Sequence, residues 1–104
     1  MGGGIDSRWL AECARRLGLP VFCGGMLESG IGRAHNMAVA ALDGFTLPGD
    51  ISASDRYYRE DVVDPPATLT RDGHLELPRA PGIGVEVLED RIARYSRLRR
   101  EISR

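Results

Sequence analysis

Apolar positions in the first half of the chain recur with helical spacing, then run continuously, then return to helical spacing. Trp9, Leu10, Cys13, Ala14 and Leu17 fall at i, i+1, i+4, i+5 and i+8, one stripe that predicts a helix over residues 8–17. Ser7 stands where an N-cap is expected, Gly18 where a left-handed residue closes a helix, and Pro20 prevents its resumption. Val21, Phe22 and Cys23 are apolar in succession, so residues 20–27 read as a short strand buried on both faces, as in parallel sheets covered by helices. A glycine-rich corner follows. It leads into a helix predicted over residues 33–42, with Ala34, Met37, Ala38, Ala41 and Leu42 on one narrow face and Gly44 at its end. Residues 45–48 read as a second short strand, ending at Gly49 and Asp50. This α-β-α-β order is the repeating unit of an α/β fold.

The pattern changes after residue 50, so the chain divides into a first part, 1–50, and a second, 51–104. Residues 51–64 are polar and irregular, with Tyr57 and Tyr58 in a charged setting. Residues 67–77 alternate as a hairpin around Asp72-Gly73, a preferred two-residue turn. Residues 78–84 form a stiff Pro/Gly linker, and a final helix is expected over 89–102. Two parallel strands do not make a stable sheet alone, because each exposed edge invites further pairing. The first part therefore reads as the end of something larger.

Composition narrows the chemistry. A length of 104 residues allows one domain, and 42% hydrophobic with 28% charged residues is ordinary for a soluble globular protein. A net charge of -1 gives no electrostatic case for nucleic acid or membrane as a partner, and no apolar run approaches the ~20 residues of a membrane span. The N-terminus lacks the basic and apolar regions of a secretory signal. Cys13 and Cys23 lack Cys-x-x-Cys spacing and are expected to be a reduced pair in a cytoplasmic protein; with two histidines spread along the chain, they give no zinc site. All 14 basic residues are arginine, so chemistry needing a lysine base cannot come from this chain. The glycine corner lacks the Lys-Ser/Thr of a phosphate loop. His35 reads as a packing residue and the arginine-rich end as a solvated helix face.

The stretch Gly24-Gly-Met-Leu-Glu-Ser-Gly-Ile-Gly-Arg33 resembles a known family. Leu47-Pro-Gly-Asp-Ile-Ser-Ala-Ser-Asp-Arg-Tyr57, Asp72-Gly-His-Leu75 and Ala80-Pro-Gly-Ile-Gly-Val-Glu86 follow in the order that family has them. Together they resemble the C-terminal end of o-succinylbenzoate synthases and N-succinyl- or N-acylamino-acid racemases, in the muconate-lactonising branch of the enolase superfamily. The resemblance covers nearly the whole chain. It implies the last two strands and helices of a (β/α)₇β barrel, followed by a hairpin and helix of the capping region. It also implies metal-assisted proton abstraction next to a carboxylate, with Mg2+ stabilising the enediolate and a lysine on either side of the substrate.

Matched to the family, residues 8–17 are the sixth barrel helix, 20–27 the seventh strand, 33–42 the seventh helix and 45–48 the eighth strand. Both catalytic lysines and the three carboxylate metal ligands then belong upstream of Met1, and the chain alone is expected to be inactive. Its implied partners are that missing portion, a small carboxylate substrate and, for the full-length enzyme, further copies of itself. The resemblance leaves substrate-side residues here: Gly25, Met26 and Leu27 at the mouth of the seventh strand, and Tyr57 in a segment packed over the pocket, which otherwise reads as a surface tyrosine of a charged loop. Gly24-Gly25 admits a second reading, relief of crowding where the strand leaves the barrel. Asp50 matches an acidic position near the reacting carboxylate; it donates a hydrogen bond there only if burial raises its pKa, and otherwise caps the turn over 51–54. Glu28 either orients the glycine corner or pairs with Arg33. Readings of another class are a non-catalytic binding or structural module, and one half of a split barrel.

Overall fold

The first helix starts before its apolar stripe. In the computed structural model, which describes residues 3–98 and residue 100, α1 spans Gly4–Leu17. Gly3 precedes it in place of the expected Ser7, which lies inside the helix and donates its hydroxyl back to the Gly3 carbonyl at 3.0 Å. Asp6 in the first turn and Arg15 and Arg16 in the last complement the helix dipole, and Gly18 closes the helix at φ 64° as expected. The buried face shares only Ala14 with the predicted stripe. Ser7, Ala11 and Ala14 are buried, while Trp9 and Leu17 are each 71% exposed. Small residues let α1 approach the end of the next helix closely, and the large ones point away from it.

That next helix, α2, spans Gly30–Ala40 and begins three residues ahead of the expected start at 33. Ser29 occupies the N-cap position without a side-chain cap bond. The Asp61 carboxylate does the capping instead, accepting the Gly30 N–H at 2.7 Å from 31 residues away. Ala34 and Met37 bury the inner face of α2.

The two expected strands reduce to single parallel bridges, Val21 with Phe45 and Gly24 with Asp50. Backbone bonds from Leu47 N–H to the Val21 carbonyl (3.0 Å) and from Asp50 N–H to the Cys23 carbonyl (2.9 Å) hold the segments side by side. Pro48 lies between the bridges and has no N–H to donate, so the second segment takes a longer path than the first. Both cysteines are free thiols; Cys23 is buried and Cys13 half-buried.

The second part holds a short 3-10 turn at Ser54–Arg56 and an antiparallel pair that the sequence pattern does not announce. Strand β1, Val63–Asp64, pairs with β2, Glu86–Val87, in the register Val63 to Val87 and Asp64 to Glu86. The hairpin forms around a Leu69–Leu75 bridge. Its loop has three residues, not two: Thr70 N–H donates to the His74 carbonyl, and Gly73 N–H donates back to the Thr70 carbonyl with Gly73 at φ +82°. Helix α3 spans Glu89–Tyr95 and stops well short of 102, because Ser96 turns extended. Ile102 lies outside the described residues.

The centre of the molecule is polar. Arg33 is 1% exposed, and its Nη1 donates to Asp61 Oδ2 (3.2 Å) and Ser54 Oγ (3.1 Å). Ser54 Oγ donates to the same carboxylate oxygen at 2.6 Å, and Val62 N–H to Oδ1 at 2.7 Å. Val63 is equally buried beside them, and Arg91 from α3 donates to the Asp61 backbone carbonyl at 2.6 Å. This node fastens α2, the 3-10 turn, β1 and α3 to one another. Around it the molecule is flat, 45 × 44 × 24 Å, with a radius of gyration of 15.3 Å. A closed domain of this length has about 13 Å. Among the described residues no helix is long and apolar enough to cross a membrane.

Candidate substrate-binding site

The parallel bridge between Gly24 and Asp50 brings the ends of the two segments together, and with them most of the residues singled out from the sequence. A Cβ on Gly25 would lie 2.5 Å from the Asp50 carbonyl oxygen, so a glycine is required there by the neighbouring segment. Crowding is thus one reason for a glycine at 25. Gly24 differs: a Cβ there would meet only the Phe22 ring, at 3.9 Å.

Beyond Gly25 the chain turns outward. Met26 is 78% and Leu27 63% exposed. The Met26 N–H lies 2.8 Å from both Glu28 carboxylate oxygens, so Glu28 orients the corner. That bond is the main cause of a lowered Glu28 pKa, with the Arg33 charge adding to it. The Leu27 carbonyl accepts from the Tyr58 hydroxyl. Tyr58, not Tyr57, is therefore the tyrosine that touches the corner. Tyr57 packs edge-on against it, ring centroids 6.5 Å apart, and remains 44% exposed.

Asp50 is exposed in this chain. It stands close enough to Tyr57 for its charge to act there. Hydrogen bonds with Ser52, then with Arg56, lower the Tyr57 pKa, and the Asp50 carboxylate opposes them. Ser52→Ala is expected to move the Tyr57 titration up toward the ordinary tyrosine value. Following tyrosinate absorbance in a Tyr58→Phe, Tyr95→Phe background isolates it, and an unmoved titration would refute the Ser52 contact.

Two features were not legible as site elements. Tyr58 differs from Tyr57 only by position, and nothing local marks which one faces Leu27. Asp61 sits in a stretch without periodicity, yet it holds the N-terminus of α2 and, through Arg33, the ring of Tyr58, which lies 5.9 Å from the guanidinium carbon. A cavity of about 510 Å³ between α2 and the hairpin, walled by Ala34, Met37, Val63 and Leu69, lies apart from the corner; none of Gly25, Met26, Leu27, Asp50 or Tyr57 lines it. Among the described residues, no three His, Cys, Asp or Glu side chains come together as a metal site.

Known proteins supply the context for this corner. The chain is 48% identical over 85 residues to the N-succinylamino acid racemase of an Amycolatopsis species, covering 82% of the chain and 23% of that relative. It is 43% identical over 102 residues to the o-succinylbenzoate synthase of Listeria innocua, covering 98% and 27%. An enolase-superfamily crystal structure from Listeria innocua superposes with a TM-score of 0.81 at 46% identity, over 90% of this chain and 25% of that one. The chain thus spans about a quarter of the length of the curated relatives it matches. The family model described as "Enolase C-terminal domain-like" matches residues 1–91. With an α/β corner of matching shape and this identity across nearly its whole length, the chain belongs to the enolase C-terminal domain-like family.

Proposed function

We propose that this chain forms the C-terminal quarter of an o-succinylbenzoate synthase-like enzyme, with residues 1–50 closing the barrel and 51–104 returning over it toward the capping region. The reaction is abstraction of a proton next to a carboxylate, then loss of water from a cyclohexadiene carboxylate, a step of menaquinone biosynthesis in the cytoplasm. The observation that carries this reading is the identity of 42–46% to o-succinylbenzoate synthases of Geobacillus stearothermophilus and Bacillus subtilis over nine-tenths of the chain. N-Acylamino-acid racemisation is the second reading, favoured by the 48% identity to the Amycolatopsis racemase.

Within such an enzyme the chain's role is to bind, not to move protons. It has no lysine, and its described carboxylates do not gather into a metal site, so Mg2+ does not fit here and no step through it is assigned to these residues. Metal and bases belong to the rest of the barrel. Met26 and Leu27 supply an apolar wall, Gly25 lets the eighth-strand segment pass close behind it, and Asp50 and Tyr57 stand beside this corner.

A chimera tests this. Replacing the matching quarter of the Listeria innocua synthase with this chain is expected to retain Mg2+-dependent dehydration, while the 104-residue chain alone gives none. The same chimera assayed on an N-succinylamino acid weighs the racemase reading. A folded chimera active on neither substrate would sink both.

A further inference from the structure

Met26 and Leu27 pose a physical puzzle. The described residues leave their apolar side chains mostly uncovered. Packing within this chain does not hold them there. Their backbone, however, is held at both ends: the Met26 N–H by the two Glu28 oxygens, the Leu27 carbonyl by the Tyr58 hydroxyl.

Each holder is itself anchored. Glu28 lies across Gly32, where a Cβ would come within 3.2 Å of the Glu28 Cβ and 3.3 Å of its Cγ. Tyr58 arrives from the second part of the chain, with its ring near the guanidinium of Arg33, whose ion pair with Asp61 is 1% exposed on both sides. Polar bonds thus fix a dipeptide that packing within this chain does not fix. We propose that Glu28 and Tyr58 are positioning residues, a two-point clamp that presents the Met26 and Leu27 side chains to a ligand. The clamp follows from the geometry; its purpose rests on the substrate-wall reading above.

Amide-resolved NMR on the full chain tests it. The charged and polar groups facing Glu28 are Arg33, the Asn36 side chain and the Cys23 thiol. The Met26 amide shift is expected to follow the Glu28 carboxylate in a pH titration, with a midpoint below the ordinary glutamate value. Glu28→Gln removes that titration. In Glu28→Ala, which removes the acceptor, and in Tyr58→Phe the Met26 amide exchanges with solvent about tenfold faster, as for loss of one hydrogen bond, while the Ala41 amide at the end of α2 is unchanged. Gly32→Ala guards against a folding artefact, since alanine favours the helix while its Cβ displaces Glu28; Met26 exchange rises there too. A Met26 amide indifferent to pH, or unchanged exchange in both clamp variants, overturns the clamp. An intact clamp with an inactive chimera overturns the ligand-presenting role, and a lost clamp in a working chimera overturns the clamp alone.

Discussion

Asp61→Ala is expected to destabilise the fold by about 3–5 kcal/mol, the cost of stripping one partner from a buried ion pair. The reason lies in how many groups converge on one carboxylate. Its removal leaves the Arg33 charge at 1% exposure without a counter-ion, and Nε and Nη2 of that side chain already lack hydrogen-bond partners. The N–H groups of Gly30 and Val62 lose their acceptor, and so does the Ser54 hydroxyl. Because a domain's whole stability is about 5–15 kcal/mol, the variant sits at the edge of folding. Urea unfolding followed by circular dichroism measures the difference, and a change under about 1 kcal/mol would mean the node is not a structural centre.

The companion variant separates charge from shape. Replacing both partners, Arg33→Met with Asp61→Leu, removes the uncompensated cation and is expected to recover part of the loss. It does not recover all, since the Gly30 N–H stays buried without an acceptor, costing about 1–3 kcal/mol, and the half-buried Val62 N–H also loses its acceptor. Recovery from the double change would identify the lone charge as the dominant cost. No recovery would put the cost in the capping of α2.

The same node shows what local sequence can and cannot reveal. Helical spacing announces α1 and α2, and Gly18 announces where α1 stops, because those signals are written within one or two turns. The start of α2 is not local. Its cap comes from Asp61, so a reading that looks for the first periodic residue begins the helix at Arg33 rather than Gly30. The buried face of α1 meets the apolar stripe only at Ala14 for a related reason. Periodicity shows that Trp9, Cys13 and Leu17 share a face, but which face meets α2 is decided by where small residues allow contact. At the candidate site, two parallel strands are legible from the α-β-α-β order, but the contact of Gly25 with Asp50 does not follow from it. The hand of Tyr58 on Leu27 did not follow, because a contact between residues 31 apart leaves no mark on either.

Gly44→Ala is the second large effect, and it comes from shape alone. A Cβ at Gly44 would stand 2.1 Å from the Ala11 carbonyl oxygen, 2.5 Å from its carbon and 2.6 Å from its Cα. All three are backbone atoms in the middle of α1, so no change of rotamer relieves the clash. Either α1 retreats from the end of α2, uncovering Ala11 and Ala14, or the turn after α2 opens. Overpacking of this kind costs about 1–3 kcal/mol, and the rigid backbone partner puts this case at the upper end. Gly24→Ala is the control. Its Cβ would meet only one ring carbon of Phe22 at 3.9 Å, an ordinary contact, so its stability is expected to stay within about 0.5 kcal/mol of the native chain. If the two variants unfold at the same urea concentration, the close approach of α1 to Gly44 is not a feature of the folded molecule. If Gly44→Ala alone falls, that approach sets the distance between α1 and α2, and with it the spacing of the segments that carry the corner at Met26.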